Sequence, residues 1–430
     1  MIRKERTIMG MIEKLLADTS VPEMVTVRQI FDDTHIPEEQ IPEQIERELR
    51  RVASSIRPGM KIAITVGSRG VANIPLIIRS LADFVRKQGA IPFVVPAMGS
   101  HGGATAEGQL QVIEGYGVTE EYIGCEIRSS METVVVGQTE NGLDVHVDRN
   151  AFYADGIIVC GRVKPHTGFR GPYESGVMKM MAIGLGKQRG AEVIHQDGFS
   201  KFREYVPMFG KVILRKAPVL CGLALLENAY DKTREIVGLT PDEIIEKEPE
   251  LLLRAKSYMP RILFDDCDVL IVDEIGKDIS GDGMDPNISG RFPTPYAQGG
   301  IQAKRVAVLD LTEASHGNAC GIGLADITTK RLFEKMSFEA TYPNAITNTV
   351  TDEMKIPMVM GSDSLAIRAA IKTCNDFDAS NPKVIRIRST AHMETIEISS
   401  ALLPLAKKNP RIEIFGQPAP MGFDEKGNLF

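Results

Sequence analysis

Between residues 61 and 116 the chain runs twice through one pattern: an apolar stretch, a glycine-rich loop, an amphipathic segment. KIAITV (61–66) leads through GSRG to a helical segment over about 74–87, and IPFVVPA (91–97) leads through GSHGG to another over about 105–116. Short apolar runs without alternation suit strands buried on both faces, and strand–loop–helix repeats build doubly wound parallel sheets. DGIIVCGR (155–162) reads as a further parallel strand, and VVVGQTENGLDVHV (134–147) as a hairpin turning at Asn141-Gly142. MVTVRQIF (24–31) reads as a strand between an N-terminal helix and a helix over 38–55, and KVILRKAPVLCGLALLEN (211–228) as one or two strands.

The charged helical stretch PDEIIEKEPELLLRAKSYMP (241–260) reads as a connector to a second strand series, DVLIVDEIG (268–276), RVAVLDL (305–311), IPMVMG (356–361) and KVIRIRS (383–389). A chain of 430 residues exceeds one compact core. The expectation is an α/β protein with two α/β domains, 1–255 and 256–430, mainly parallel sheets and a cleft between them.

A net charge of −7, from 50 basic and 57 acidic residues, argues against nucleic acid as a partner, since no basic stripe interleaved with aromatics offsets it. No run approaches the ~18–20 apolar residues that span a bilayer. The charge-mixed N-terminus lacks the apolar core of a signal peptide. Six scattered cysteines without CxxC spacing read as reduced, mostly buried thiols. A cytoplasmic protein is expected, with its oligomeric state left open.

Arg69 in GSRGVAN, His101 in GSHGG and His166 in VKPHTG each sit just past the carboxyl end of an expected parallel strand. In an open α/β sheet such ends share the crevice where ligands bind. A guanidinium offers a planar fork for an anionic oxygen, and an imidazole can take and return a proton near neutral pH. A single histidine in a glycine-rich loop is ordinarily a turn residue, but three such residues on successive strand ends point to proton transfer on a small anion. His146 shares a strand face with Asp144 and Asp148, expected to be solvated; His35 and His392 carry no role.

Lys179, in SGVMK, precedes a largely apolar run. It either snorkels from a buried element or is a desolvated amine nucleophile. His195 lies sixteen residues on, in an expected helix starting near Lys187, either as a satisfied buried histidine or as a ligand for nickel, copper, iron or zinc. GLGKQRGA (184–191) spaces its glycines loosely like a dinucleotide loop, but it falls mid-domain and Asp197 is too near to serve as the ribose acid, so an NAD site is rejected. In the loop IGKDISGDGMDPNISGR (275–291), Lys277 is a candidate clamp for a substrate carboxylate, while Asp282, Asp285 and Asn287 either orient hydroxyls or fold the loop. His316 and Asn318, in a second glycine-rich loop, either function or shape the cleft.

Taken together and in order, Arg69, GSHGG with His101, KPH with His166, SGVMK with Lys179, and His195 resemble the nickel-pincer-nucleotide-dependent lactate racemase family, most closely over residues 60–200. The resemblance implies an isomerase, a racemase or epimerase of a 2-hydroxy acid. Its cofactor would be a nickel-pincer nucleotide made by dedicated biosynthesis enzymes, and protein produced without them would be empty. It further implies that Lys179 holds one cofactor arm as a covalent thioamide, that His195 supplies a nickel ligand, that His101 and His166 are paired acid/bases and that Arg69 polarises the substrate oxygen. The implied reaction is proton-coupled hydride transfer through a 2-keto acid.

Around the substrate the sequence departs from the lactate pattern. An acidic-Thr-Arg-Pro motif is replaced by Gly67-Ser68-Arg69-Gly70, glycines stand where the histidine loop carries a further arginine, and the stretch from His166 to Lys179 is a few residues longer. These changes favour a larger or more polar 2-hydroxy acid than lactate, such as a sugar acid undergoing 2-epimerisation. Two other readings compete: a histidine-based lyase or isomerase using an ordinary metal, and a non-catalytic binding protein for an organic acid or nucleotide.

Overall fold

The computed structural model describes residues 10–52 and 55–430. Its strands in chain order are β1 (Met24–Gln29), β2 (Lys61–Val66), β3 (Ile91–Pro96), β4 (Glu126–Ile127), β5 (Thr133–Gln138), β6 (Asp144–Asp148), β7 (Gly156–Arg162), β8 (Val219–Glu227), β9 (Thr233–Leu239), β10 (Asp266–Ile275), β11 (Gln302–Leu311), β12 (Ile327–Thr329), β13 (Met358–Met360), β14 (Val384–Ile387), β15 (Thr395–Ser399) and β16 (Ile412–Ala419). The class is α/β with mixed, mostly parallel sheets. Two compact units form, one from Asp32–Pro260 and the other from the described residues through Phe31 together with Arg261–Phe430.

In the Asp32–Pro260 unit a six-stranded sheet runs β4-β3-β2-β7-β8-β9. All neighbours are parallel except β9, which returns antiparallel beside β8. Alternation on β2 and β7 divides the interior into two cores. Ile62, Ile64, Ile158 and Cys160 enter one with the Ile74–Lys87 helix, while Ala63, Ile157 and Val159 enter the other. Both faces are therefore buried, the environment that makes these strands continuous apolar runs. From β2 the chain proceeds to β3 and β4 on one side and, later, to β7 and β8 on the other. The switch of direction thus lies between β2 and β7, the position where open α/β sheets leave a crevice.

The second unit has an eight-stranded sheet, β13-β12-β11-β10-β14-β15-β1-β16. β10 to β14 pair in parallel; β15, β1 and β16 are antiparallel. This corrects the expectation of a first domain running unbroken from residue 1 to 255. β1 pairs on both sides, with Val27 opposite Ile396 and Ile414, and so satisfies backbone groups that β15 and β16 would otherwise leave unpaired. The later boundary also moves, because the helix Pro241–Tyr258 belongs wholly to the unit ending at Pro260.

Two local readings also change. Residues 211–216 finish the helix Phe202–Lys216, whose buried Phe202, Val206, Phe209 and Ile213 follow helical spacing; only β8 forms a strand there. On β6 the face shared by Asp144, His146 and Asp148 is not uniformly solvated. Asp144 is exposed and His146 half-buried against Thr133 Oγ1 at 3.0 Å, but Asp148 is fully buried. The N-terminal helix covers Met11–Leu16 and the next Ile41–Val52; the parts of those expectations at residues 1–9 and 53–54 lie outside the described residues.

Candidate active site

Arg69, His101 and His166 follow the carboxyl ends of β2, β3 and β7, three adjacent parallel strands, with Arg69 and His166 on either side of the switch point. The GSHGG loop turns through left-handed backbone at Gly99, Gly102, Gly103 and Ala104. A Cβ at Gly102 would lie 2.6 Å from the Gly108 backbone, so this turn requires glycine. His101 emerges exposed, with Nδ1 2.5 Å from Ser68 Oγ, next in sequence to Arg69. Ser68 is itself fixed, its carbonyl accepting from the Tyr116 hydroxyl at 3.0 Å.

Beneath this loop lies a buried polar network absent from the sequence expectations. The side-chain amide of Gln109 donates to the carbonyls of Gly99 (2.8 Å) and His101 (3.2 Å). The Lys187 ammonium donates to Gln109 Oε1 at 3.1 Å and to the Pro96 carbonyl, and pairs with Asp148 at 3.3 Å. Lys187 opens the helix Lys187–His195, as the sequence predicts for the segment bearing His195.

His166 occupies a loop organised by Glu174, which is 1% exposed. That carboxylate accepts from the His166 backbone N–H (2.8 Å), the Gly171 N–H (3.3 Å), Arg170 Nη1 (3.1 Å) and Lys256 Nζ (2.7 Å). The imidazole packs 4.6 Å from Phe169 and 5.9 Å from Phe199, while His195 meets Phe199 at 5.5 Å and Phe202 at 4.7 Å. Phe199 thus packs against both imidazoles. Burial, followed by the charges of Lys179, His195, Arg170 and Arg69, holds His166 well below the ordinary histidine range. Burial and Lys179 bring His195 down to about 4. Both rings are therefore neutral at pH 7, and the buried Nδ1 of His195 has no hydrogen-bond partner.

Lys179 ends the short helix Val177–Lys179, which continues as a π-turn over Met180–Gly184 closed by Leu185 N–H on the Met180 carbonyl at 2.9 Å. The helix Pro241–Tyr258, expected only as a connector, underpins this segment. Pro249 has no N–H to give the Ile245 carbonyl, and the Tyr173 hydroxyl donates to it at 2.5 Å. Lys256 reaches Glu174, and buried Glu248 accepts the Met178 N–H at 3.0 Å. A signal for Glu248 was present in the sequence. Ile244, Glu248, Leu251, Leu252 and Ala255 form the helix's buried stripe, and a carboxyl centred in such a stripe needs a partner.

The structure gathers Arg69, His166, Lys179 and His195 electrostatically and ties His101 to Ser68. Lys277 belongs to the other unit, where its ammonium donates to the Gly281 carbonyl within its own loop. There Asp285 caps a short helix by accepting from the Asn287 N–H and side chain, both at 2.9 Å, so these two fold the loop. His316 takes a left-handed turn and Asn318 accepts from the Cys320 N–H at 3.1 Å. In the same unit the ligand atoms of Asp282, Cys320 and Glu353 lie within 4.8 Å of one another, with the thiol donating to Glu353 at 3.2 Å. Burial pushes that thiol up to about 12 and the carboxyl to about 7. All six cysteines are free, and among the described residues no helix is long and apolar enough to cross a membrane.

Residues 14–203 match the lactate racemase N-terminal domain. A crystal structure of a Thermotoga maritima protein superposes with a TM-score of 0.50 at 12% identity, covering 85% of this chain and 99% of that one. The lactate racemase apoprotein from Thermoanaerobacterium thermosaccharolyticum superposes with a TM-score of 0.43 at 14% identity, covering 66% of this chain and 74% of that one. No curated protein matches the chain. Over residues 14–203, a little under half of its length, the chain is therefore similar to the lactate racemase N-terminal domain.

Proposed function

We propose that this chain is an isomerase, a racemase or epimerase of a 2-hydroxy acid, working by proton-coupled hydride transfer with a covalently bound nickel-pincer nucleotide. The observation that carries the reading is the grouping of His166 and His195 about Phe199, within reach of the Lys179 charge, with an unpartnered buried nitrogen on His195. A neutral imidazole with an unpaired nitrogen suits a borderline-soft metal, and a single such ring suits a metal that arrives with its own organic ligands. Lys179 would hold the nucleotide through a thioamide and His195 would complete the nickel coordination. When bound, the group supplies the acceptor for the hydride on the substrate Cα.

The remaining work falls to the chain. After burial, every leading influence on His166 is basic, an environment that attracts a carboxylate-bearing substrate. Arg69 would polarise the substrate oxygen. His166 Nδ1 accepts the Gly168 N–H at 2.9 Å, which assigns the proton of the neutral ring to Nε2 and makes that nitrogen a donor. Ser68 Oγ can accept from His101 Nδ1, leaving His101 Nε2 as the base. One neutral ring would take the hydroxyl proton and become imidazolium; the oxygen would be reprotonated on the other side by the second ring only after that ring has itself taken up a proton from solvent, and the first ring would release its own. Near His101 a Cβ at Gly103 would meet nothing within 4 Å, which supports a substrate larger or more polar than lactate, such as a sugar acid.

Co-expression with the enzymes that build the cofactor is expected to give a mass adduct that Lys179→Ala abolishes, with nickel in equal amount. The loaded protein should invert one member of a panel running from lactate and malate to aldonates, with little solvent deuterium entering Cα. Absence of both adduct and nickel under those conditions sinks the reading.

A further inference from the structure

From the Pro241–Tyr258 helix the Glu248 carboxylate reaches the turn immediately before Lys179. The helix there is three residues long, Val177–Lys179, too short to stand on its own hydrogen bonds, and its first N–H groups have no intrahelical acceptor. Glu248 supplies one. Oε2 takes the Met178 N–H at 3.0 Å, and the Val177 N–H also bonds to the carboxyl. Gly176 allows the approach: a Cβ there would lie 2.2 Å from Oε1 and 2.9 Å from Cδ. The carboxyl is 1% exposed, and Oε1 has no hydrogen-bond partner. A carboxyl is costly to bury, so one placed in an apolar stripe needs these bonds to offset it.

We propose that Glu248 is the positioning residue for Lys179, its buried carboxyl bridging Val177 and Met178 across Gly176 to hold the turn from which the amine projects. The function is that of an acceptor and needs no negative charge. The inference rests on Lys179 being the point of cofactor attachment, but its physical content, an ordered Lys179 turn, can be read without the cofactor.

The test uses the full chain in Glu248→Gln, Glu248→Met and Gly176→Ala forms, each checked for wild-type near-ultraviolet circular dichroism. Glutamine keeps an acceptor; methionine fills the space without one; alanine at 176 pushes the carboxyl away. In empty protein, amide exchange at residues 177–179 and the rate of Lys179 acylation, read by peptide mass mapping against exposed Lys61, are expected to rise about tenfold in the methionine and alanine forms. That is the effect of one lost hydrogen bond of about that worth. Glu248→Gln should stay near wild type. In protein co-expressed with the cofactor-building enzymes, adduct occupancy should fall in the same two forms and be retained with glutamine.

Unchanged exchange and acylation in Glu248→Met overturn the proposal, and so does a Glu248→Gln form as perturbed as Glu248→Met, which would make the charge the operative feature. If Glu248→Met does not fold, Gly176→Ala decides by the same readouts. A wild-type chain that takes no adduct, yet shows the expected exchange pattern, removes the attachment reading and leaves the positioning role standing.

Discussion

Lys187 and Asp148 meet at 3.3 Å with neither side chain exposed, directly beneath the loop that presents His101. Desolvation lowers the lysine pKa and raises that of the aspartate, so each is drawn toward its neutral form despite the partner. Such a pair contributes little net stability but is costly to halve. Lys187→Met should therefore destabilise the Asp32–Pro260 unit by about 3–5 kcal/mol, the typical cost of stranding a buried charge. Asp148 also caps a helical turn through the Ala151 N–H at 2.9 Å, so asparagine is the partner change that keeps the cap. The double variant Lys187→Met/Asp148→Asn should recover most of the loss in urea titrations followed by amide exchange. A strictly additive double variant would show that the pair is not coupled.

The Tyr173 hydroxyl answers a vacancy made by Pro249, since the Ile245 carbonyl has no helical N–H to accept. Tyr173→Phe should cost about 1–2 kcal/mol, the usual penalty for a polar group left unpaired. Pro249→Ala restores an N–H to the helix and should make Tyr173→Phe nearly neutral. A double-mutant cycle by denaturant titration checks this; equal effects of Tyr173→Phe in both backgrounds would contradict it.

These two networks mark the division between what the sequence displays and what it conceals. β2, β3, β7 and the helix Ile74–Lys87 are legible because both sheet faces are buried and the helix has one apolar stripe. The strand-end positions of Arg69, His101 and His166 follow from the same pattern. The pairing of Asp148 with Lys187 and of Glu174 with Lys256 is hidden in the sequence because the partners lie far apart along the chain, and local alternation or charge suggests a solvated face. The strand at 24–29 is legible but its sheet is not: its buried Val25 and Val27 would suit either sheet, and only pairing with β15 and β16 assigns it. The 211–216 stretch shows the local ambiguity of a short apolar run, which helical spacing with Phe202, Val206 and Phe209 resolves.

His166 offers a test of the site's electrostatics in the empty protein. Burial depresses its pKa most, and Lys179 is the next cause. Heteronuclear NMR should find its titration below that of a free imidazole, and Lys179→Met should raise it part of the way back. A depressed histidine lets the unfolded chain bind the extra proton first, so this group's contribution is full above pH ~6.5 and is lost as pH falls through the folded value. Lys179→Met should therefore soften the acid destabilisation of the unit. An unmoved His166 titration would place Lys179 too far away to act on it.

Glu248 gives the opposite pH dependence. Burial, opposed by the N–H groups of Met178 and Val177, raises its carboxyl from 4.5 to about 8. Between those values the folded protein holds a proton that the unfolded chain has released. Its stabilising contribution is therefore full below pH ~4.5 and declines to zero as pH rises through about 8. The span corresponds to roughly 3–5 kcal/mol across the window. Glu248→Gln cannot titrate, so its stability relative to wild type should climb as the buffer moves from pH 5 to pH 9. Urea midpoints of the Asp32–Pro260 transition at the two ends measure this difference. Parallel profiles for the two proteins would show that Glu248 is already ionised at neutral pH, held by its two N–H donors against the cost of burial.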